Sequence, residues 1–500
     1  MFKEHPKGLY VLFFTEMWER FGFYTMMAIF VLYLGENFHW SDTTIGNVYG
    51  LFLGGVYLTP LVGGWLADNV FGYSKTIIMG ALTLAVGYAL MAIPTKEPSF
   101  LYFALIVIIL GNGLFKANIS VLVGNLYSHA TGSLKDAAYN IFYMGINIGA
   151  FFAPYAADSI KNFMIDNFHT TLSEGYNSGF ALASVGMLIS IIIFTGFRKY
   201  YIDADYKSKD KEHQHRDIQL TRKQELSRIG ALLTLFAIVI FFWMIYYQNS
   251  FTLTLFAKNY TVTHVGKITF LLFDPVSLFS LIAVVLGLVG TFNKNASKKT
   301  KNWSIAAVVV AGAIIIYKLT SLPGSNPISP ELFQGFNPMF IVFLTPLIVG
   351  GFAWLNKKGK EPSTPGKMGI AMLIAASAYL LMIIASQGMA KIGTAGYSDA
   401  ERITPYWLIS TYFIVTVAEL FLSPMGLSFV SKVAPPRMKG LMMGAWFVAT
   451  AVGSYLSGFI GRFYEHWQIW QFFLFLLITS LVAAGVLRLV LKRLRRATED

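Results

Sequence analysis

Cysteine is absent from this chain, and charged residues are scarce. Without cysteine, the 500-residue sequence can form no disulfide bond, no thiol nucleophile and no metal site with cysteine ligands. Only 13% of the residues are charged, whereas 55% are apolar and 16% are aromatic. The mean hydropathy of +0.57 lies far above that of a soluble globular domain. The composition therefore predicts a polytopic membrane protein.

Long apolar segments make up most of what is present. A membrane-spanning helix needs roughly 20 predominantly apolar residues. The first apolar segment is too long for a signal peptide and has no small-residue cleavage site, so we expect it to remain as a helix. The sequence predicts an all-α protein with fourteen transmembrane helices, near residues 9–34, 44–67, 76–93, 100–127, 137–160, 177–197, 229–257, 268–292, 303–320, 336–355, 368–387, 405–431, 441–461 and 467–490.

The net charge of +13 could indicate a nucleic-acid partner, but the basic residues are distributed between the loops as expected for a membrane protein. With a cytoplasmic N-terminus, alternate loops and the C-terminal tail contain 29 of the 39 Lys and Arg residues. The opposite loops contain 8, and the spans contain 2. This is the positive-inside pattern of an inner or plasma membrane protein. We therefore expect both termini to be cytoplasmic and expect no nucleic-acid partner.

The longest charged stretch, residues 198–228, separates six spans from eight. We interpret it as a cytoplasmic linker between an N-terminal six-helix bundle, 1–197, and a C-terminal bundle, 229–500, that ends in a basic cytoplasmic tail. Two six-helix bundles with the substrate between them near the midplane are a common transporter layout. The two remaining spans predict an inserted helical hairpin at about 268–322. Asp274 precedes a proline, which favours a helix N-cap over a proton site.

Very few charges remain deep in the spans. The basic ones are Arg20 and Lys116, and the acidic ones are Glu16, Glu19 and Glu419. When all are ionised, three carboxylates face two cations, and a desolvated carboxylate in excess tends to take up a proton. A structural salt bridge is the alternative, since a buried pair alone is weak evidence of function. No histidine lies at mid-span, so proton chemistry at that depth has to use carboxylates.

Several polar or aromatic side chains accompany these charges in the spans. Taken singly, each is more often a residue of helix packing or of hydrogen bonding between helices. Together they are candidates for a substrate site: Tyr57, Asn147, Gln248, Asn337 and Trp446.

Several motifs resemble those of a known family. TEMWERFGFY, residues 15–24, is similar to the ExxERFxxY signature on the first helix of the proton-dependent oligopeptide transporter (POT/PTR) family of the major facilitator superfamily. FYMGINIGAFFAP resembles that family's signature on helix 5, and GGWLADNVFGYSKT resembles the loop between helices 2 and 3 of the superfamily. NPMFIVFLTP, KEPSTPGK and AELFLSPMGLSFVSKVAP resemble its helices 8 to 10. The resemblance covers nearly all of the chain except residues 268–322 and implies a major facilitator fold.

The resemblance also implies roles for individual residues. Glu16, Glu19 and Arg20 would couple protons to transport. Lys116 would join Arg20 in handling the peptide carboxylate and the proton-linked salt bridges, and Glu419 would receive the peptide amino terminus. Six further positions match the family's pocket, namely Tyr24, Tyr57, Asn147, Asn337, Ser423 and Trp446.

The chain departs from the family pattern at three places. Ala117 follows Lys116 where the family usually has proline, which removes a source of local kinking. Tyr247 stands where many bacterial members have an acidic residue, and a phenol does not carry protons at neutral pH. The coupling proton is thereby expected on the first helix. The extra hairpin follows helix 7, whereas in bacterial members it usually lies between helices 6 and 7.

These observations favour a proton-coupled symporter that imports di- and tripeptides by alternating access. A dipeptide is a zwitterion with ends roughly 6 Å apart, so cations on one bundle and an anion on the other would hold both ends. We expect a monomer in the bacterial inner (plasma) membrane lipid bilayer, with no cofactor besides the coupling proton, and peptide-like drugs as further ligands. The alternatives are a transporter of another solute such as nitrate, a membrane enzyme and a receptor-like protein. HExxH, GxSxG and cysteine nucleophile motifs are absent, which argues against an enzyme.

Overall fold

The computed structural model describes residues 5–128, 132–206, 221–293, 296–392, 394, 397–435 and 438–499, most of which are helical. One pair of very short antiparallel strands, β1 (His264–Val265) and β2 (Asn326–Pro327), joins two loops. The long helices are α1 (Lys7–Phe38), α2 (Asp42–Phe71), α3 (Tyr73–Met91), α4 (Pro98–Leu126), α5 (Gly132–Phe168), α6 (Leu172–Gly196), α7 (Arg222–Tyr260), α8 (Pro275–Phe292), α9 (Lys298–Ser321), α10 (Phe336–Lys357), α11 (Thr364–Ser386), α12 (Tyr406–Val433), α13 (Lys439–Gly461) and α14 (Ile469–Glu499).

The long helices agree with the spans expected from the sequence. Thirteen segments of the described chain are long and apolar enough to cross a membrane. The remaining long helix, α5, has 37 residues and packs along α1. The prediction of an all-α polytopic membrane protein is thus confirmed. We call the side of the protein at which α1 begins the termini side.

Two of the long helices are irregular near the centre of the protein. In α2, regular hydrogen bonding is interrupted at Thr59, because Pro60 has no backbone N–H, and the helix ends in a π-helical turn at Ala67–Phe71. In α7, the 3-10 turn Tyr247–Ser250 separates two α-helical parts. Such turns often mark functional positions in a helix. By contrast, α4 runs without interruption through Ala117.

The helices form two groups that meet at the middle of the protein. Helices α1 and α3 to α6 pack mainly within the group α1 to α6, and α7, α10 to α12 and α14 pack mainly within the group α7 and α10 to α14, whereas α2 and α13 make their largest contact with each other. The groups contact each other through α2 with α13 and α5 with α10. A Cβ atom on Gly458 would lie 2.1 Å from the carbonyl oxygen of Gly46, so the close approach of α2 and α13 requires glycine. Residues 207–220 of the expected linker lie outside the described residues, and the bounds 1–197, 198–228 and 229–500 stay predictions.

The first helix of the inserted hairpin begins later than the expected residue 268. Residues Lys267–Phe270 form a short separate helix, and α8 begins at Pro275. The Asp274 carboxylate accepts a hydrogen bond from the Ser277 backbone N–H at 2.8 Å. The interpretation of Asp274 as an N-cap is confirmed, and the early start was wrong because the Asp-Pro pair starts a new helix.

The hairpin of α8 and α9 lies on the outside of the bundle. Only 6% of an apolar 18-residue stretch of α9 is buried, compared with 78% of the corresponding stretch of α1. At the base of the hairpin, Lys318 Nζ lies 3.0 Å from Asp274 Oδ1. On its inner side, Phe279 packs against Phe151 and Phe152 of α5. The hairpin is therefore a peripheral element whose two ends are held close together.

Replacing Pro275–Ser321 by a short glycine-serine linker should leave uptake of the dipeptide substrate expected from the sequence within about twofold of the parent. The base of the hairpin is already closed, and the replaced segment supplies none of the charged residues of the central cavity. Phe273 should be retained because it packs against Phe333 and Phe336. Uptake by purified protein in liposomes measures the effect. A monodisperse deletion variant without uptake would show that the hairpin takes part in transport.

Candidate functional site

A cavity of about 240 Å³ lies between the two groups of helices. It is lined by α1, α2, α4 and α5 on one side and by α7, α10, α12 and α13 on the other. Ten of the twelve residues expected from the sequence line this cavity, namely Glu16, Arg20, Tyr24, Tyr57, Lys116, Asn147, Asn337, Glu419, Ser423 and Trp446. The other two, Glu19 and Gln248, lie behind its wall.

The charged motif of α1 forms one tight ion pair and one loose one. Arg20 binds both carboxylate oxygens of Glu19, through Nε and Nη2, each at 2.5 Å. Arg20 Nε lies 3.5 Å from Glu16 Oε1. Glu16 Oε2 is buried and accepts no hydrogen bond from the described residues. A bidentate arginine-carboxylate pair is much stronger than a single long contact, so Glu16 is the less firmly held carboxylate.

Asn112 orients the arginine from behind and was not expected from the sequence. Its Oδ1 accepts a hydrogen bond from Arg20 Nη2 at 3.2 Å, and its Nδ2 donates to the Val56 carbonyl at 2.8 Å. Asn112 is completely buried. The available signal was its position in GNGLFKANIS, one helical turn before Lys116.

Lys116 lies against an aromatic face within the cavity wall. Its ammonium lies 4.4 Å from the ring centroid of Tyr57, a favourable cation–π distance. The Tyr57 ring in turn lies 5.6 Å from the ring of Tyr247 on α7. None of the ion pairs among the described residues includes Lys116. The ammonium is therefore open to an anionic group in the cavity.

Glu419 is held from α7 and α10. Its Oε2 accepts hydrogen bonds from the Tyr246 hydroxyl at 2.9 Å and from Asn337 Nδ2 at 3.0 Å. Asn337 Nδ2 also lies 2.9 Å from Thr416 Oγ1. The resemblance identified Glu419 and Asn337 separately, and no motif connected the two residues. Tyr246 was missed altogether, although two adjacent tyrosines in an apolar helix are an unusual polar signal.

The structure corrects the expectation for Gln248. Its Nε2 donates to the carbonyls of Met244 and Ser457, at 3.2 and 3.0 Å, and its Oε1 accepts from Thr252 Oγ1 at 2.9 Å. The side chain is fully buried, both hydrogens of its Nε2 are used within the protein, and it does not line the cavity. The 3-10 turn directs Gln248 towards α13, whereas its neighbours Tyr247 and Asn249 line the cavity.

Two groups of membrane helices around a central cavity with opposite fixed charges define a secondary transporter. A family model described as the POT family matches residues 74–218 and 313–472, so the chain belongs to that family. The transporter YclF of Bacillus subtilis, described as uncharacterized, is 30% identical to this chain. The alignment covers 99% of this chain and 95% of the length of YclF. Dipeptide and tripeptide permease A of Escherichia coli is 28% identical, and the alignment covers 91% of this chain and 84% of the length of the permease.

Solved structures of similar proteins show the same fold. A crystal structure of a peptide transporter POT in complex with alafosfalin superposes with a TM-score of 0.75 and 26% identity. A crystal structure of a peptide transporter POT in complex with sulfate gives a TM-score of 0.75 and 25% identity. Each comparison covers 99% of this chain and 96% of the other. The resemblance noted in the sequence motifs is thus confirmed.

Proposed function

We propose that the protein is a proton-coupled symporter that imports di- and tripeptides by alternating access. The observation that carries this proposal is the placement of Arg20 and Lys116 on one side of the cavity and Glu419 on the other. A zwitterionic peptide neutralises both ends of such a cavity and connects the two groups of helices. The aromatic walls accept varied side chains, because the fixed contacts go to the peptide ends.

The relatives support peptides as the substrate class. The E. coli relative is named as a dipeptide and tripeptide permease, and one similar structure contains alafosfalin. We therefore propose short peptides as substrates and peptide-like drugs as further ligands, with no cofactor apart from the proton. The positive-inside pattern supports a bacterial plasma membrane location with cytoplasmic termini. We propose that one chain is the transport unit, since the cavity is built from a single chain.

Glu16 is the carboxylate that we assign to the coupling proton. It lines the cavity, whereas Glu19 lies behind the wall in a bidentate pair with Arg20. Glu16 Oε2 has no hydrogen-bond donor among the described residues, which suits a protonated carboxyl group. A peptide carboxylate that binds Arg20 would compete with Glu16 for the same cation. Proton uptake and peptide binding would then favour each other.

Glu419→Gln should weaken the binding of a free dipeptide by roughly 2 to 5 kcal/mol. The ammonium end would lose its charged partner in a cavity of low polarity. Binding of Ala-Ala and N-acetyl-Ala-Ala to purified protein measures the effect, and the acetylated peptide should lose little affinity. Glu97→Gln, an exposed carboxylate outside the cavity, is the control. Unchanged affinity for Ala-Ala would contradict the peptide assignment and favour another solute, such as nitrate, that needs no carboxylate partner.

A further inference from the structure

The two hydrogen bonds that hold Glu419 converge on the same carboxylate oxygen. Tyr246 and Asn337 both donate to Oε2, and no described hydrogen bond uses Oε1. Glu419 lines the cavity and is 8% exposed. Oε1 is therefore the oxygen that remains available to a ligand. The orientation of the carboxylate depends on the two donors behind it.

Tyr246 is rigidly placed for this contact. Its ring stacks on Phe242, with an interplanar angle of 15°, and packs edge-on against Trp243 and Tyr247. A side chain fixed by three aromatic neighbours loses little entropy when its hydroxyl forms a hydrogen bond. Tyr246 also contacts Asn337 directly, with 3.4 Å between its hydroxyl and Asn337 Oδ1. The phenol thus connects α7 to both other members of the cluster.

We propose that Tyr246 is a positioning residue that orients Glu419 towards a ligand ammonium group and thereby sets the preference for peptides with a free amino terminus. This inference rests on the proposed function. The two hydrogen bonds to Oε2 stabilise the ionised carboxylate and fix its orientation towards the cavity, and the loss of one of them weakens both effects. The alternative is that Tyr246 only packs against its aromatic neighbours.

Tyr246→Phe separates these possibilities because it removes the hydroxyl and keeps the ring. The affinity for Ala-Ala should fall about tenfold, in line with loss of a charge-assisted hydrogen bond. The affinity for N-acetyl-Ala-Ala should change by less than about twofold, since that peptide has no ammonium group. Tyr379→Phe is the matched control, because the Tyr379 hydroxyl donates to the Ile245 carbonyl at 2.6 Å, next to Tyr246 but outside the cavity.

A double variant shows whether Tyr246 acts through Glu419. In the Glu419→Gln background, adding Tyr246→Phe should cause little further loss of Ala-Ala affinity, because the charged acceptor is already gone. Additive losses, equal losses for the two peptides, or the same loss in Tyr379→Phe would overturn the inference. If Glu419→Gln keeps the preference for Ala-Ala over N-acetyl-Ala-Ala, the proposed function is contradicted, whatever the result for Tyr246→Phe. An effect of Glu419→Gln without any effect of Tyr246→Phe overturns the inference alone.

Discussion

Replacing Glu16 by glutamine should abolish the proton-driven accumulation of dipeptide in liposomes, while exchange of labelled for unlabelled peptide continues. Glutamine cannot carry the coupling proton, but it is almost the same size as protonated glutamic acid. Because the long contact between Glu16 and Arg20 contributes little to stability, the fold should survive the change. Accumulation is measured with an inward proton gradient, and exchange is measured with peptide on both sides.

Glu19→Gln is the matched control on the same helix. It breaks the bidentate pair with Arg20 and leaves a buried cation without its main partner, at a cost of about 3 to 5 kcal/mol. Accumulation, exchange and thermal stability should therefore fall together. Accumulation that persists in Glu16→Gln would show that the proton travels elsewhere. Parallel loss of both activities and of stability in Glu16→Gln would instead identify it as a structural residue.

Tyr247 makes the Glu16 experiment easier to interpret. At this position of α7 the chain has a phenol, which stacks on Trp243 and lies beside Tyr57. Among the described residues that line the cavity, the carboxylates are Glu16 and Glu419. We assign Glu419 to the peptide amino terminus. A second proton carrier that could mask the loss of Glu16 is therefore missing from the described cavity wall.

Helical periodicity predicted some of this site and missed the parts that depend on irregular backbone. The i, i+4 spacing placed Glu16 and Arg20 on one face, as the structure has them. Spacing alone did not reveal that the adjacent Glu19 takes the bidentate contact, since that depends on side-chain rotamers and on Asn112 behind Arg20. Gln248 was misplaced because a 3-10 turn interrupts α7.

The resemblance supplied what periodicity could not, within limits. It identified Glu419 and Asn337, which are 82 residues apart in the chain. It said nothing of Tyr246, because a phenol that donates to Glu419 depends on how α7, α10 and α12 pack in this particular chain. Family motifs therefore located the charges of the site, and the structure was needed for the neutral residues that orient them.

The cavity is closed on the side opposite the termini by contacts between the two groups of helices. Lys161 of α5 forms a buried ion pair with Glu331, which lies just before α10, and donates to Ser329 Oγ at 3.2 Å. Gln334 Nε2 donates to the Ala28 carbonyl of α1 at 3.3 Å and to Thr254 Oγ1 at 3.0 Å. Alternating access requires these contacts to break whenever the cavity opens to that side.

Glu331→Gln should therefore shift the protein towards opening on the side opposite the termini and lower its thermal stability. The change leaves Lys161 with Asp158, at 2.9 Å on the same helix, and removes the charge that joins the two groups. Because the chain has no cysteine, a single Ala150→Cys substitution in the cavity wall reports access cleanly. A membrane-impermeant maleimide applied from that side should label it at least about tenfold faster, which corresponds to roughly 1.4 kcal/mol in the opening equilibrium.

Asp158→Asn removes the other partner of Lys161 but no contact between the groups, so it should leave labelling unchanged. Equal labelling of Glu331→Gln and its parent, or equal acceleration by Asp158→Asn, would show that this ion pair does not hold the cavity closed.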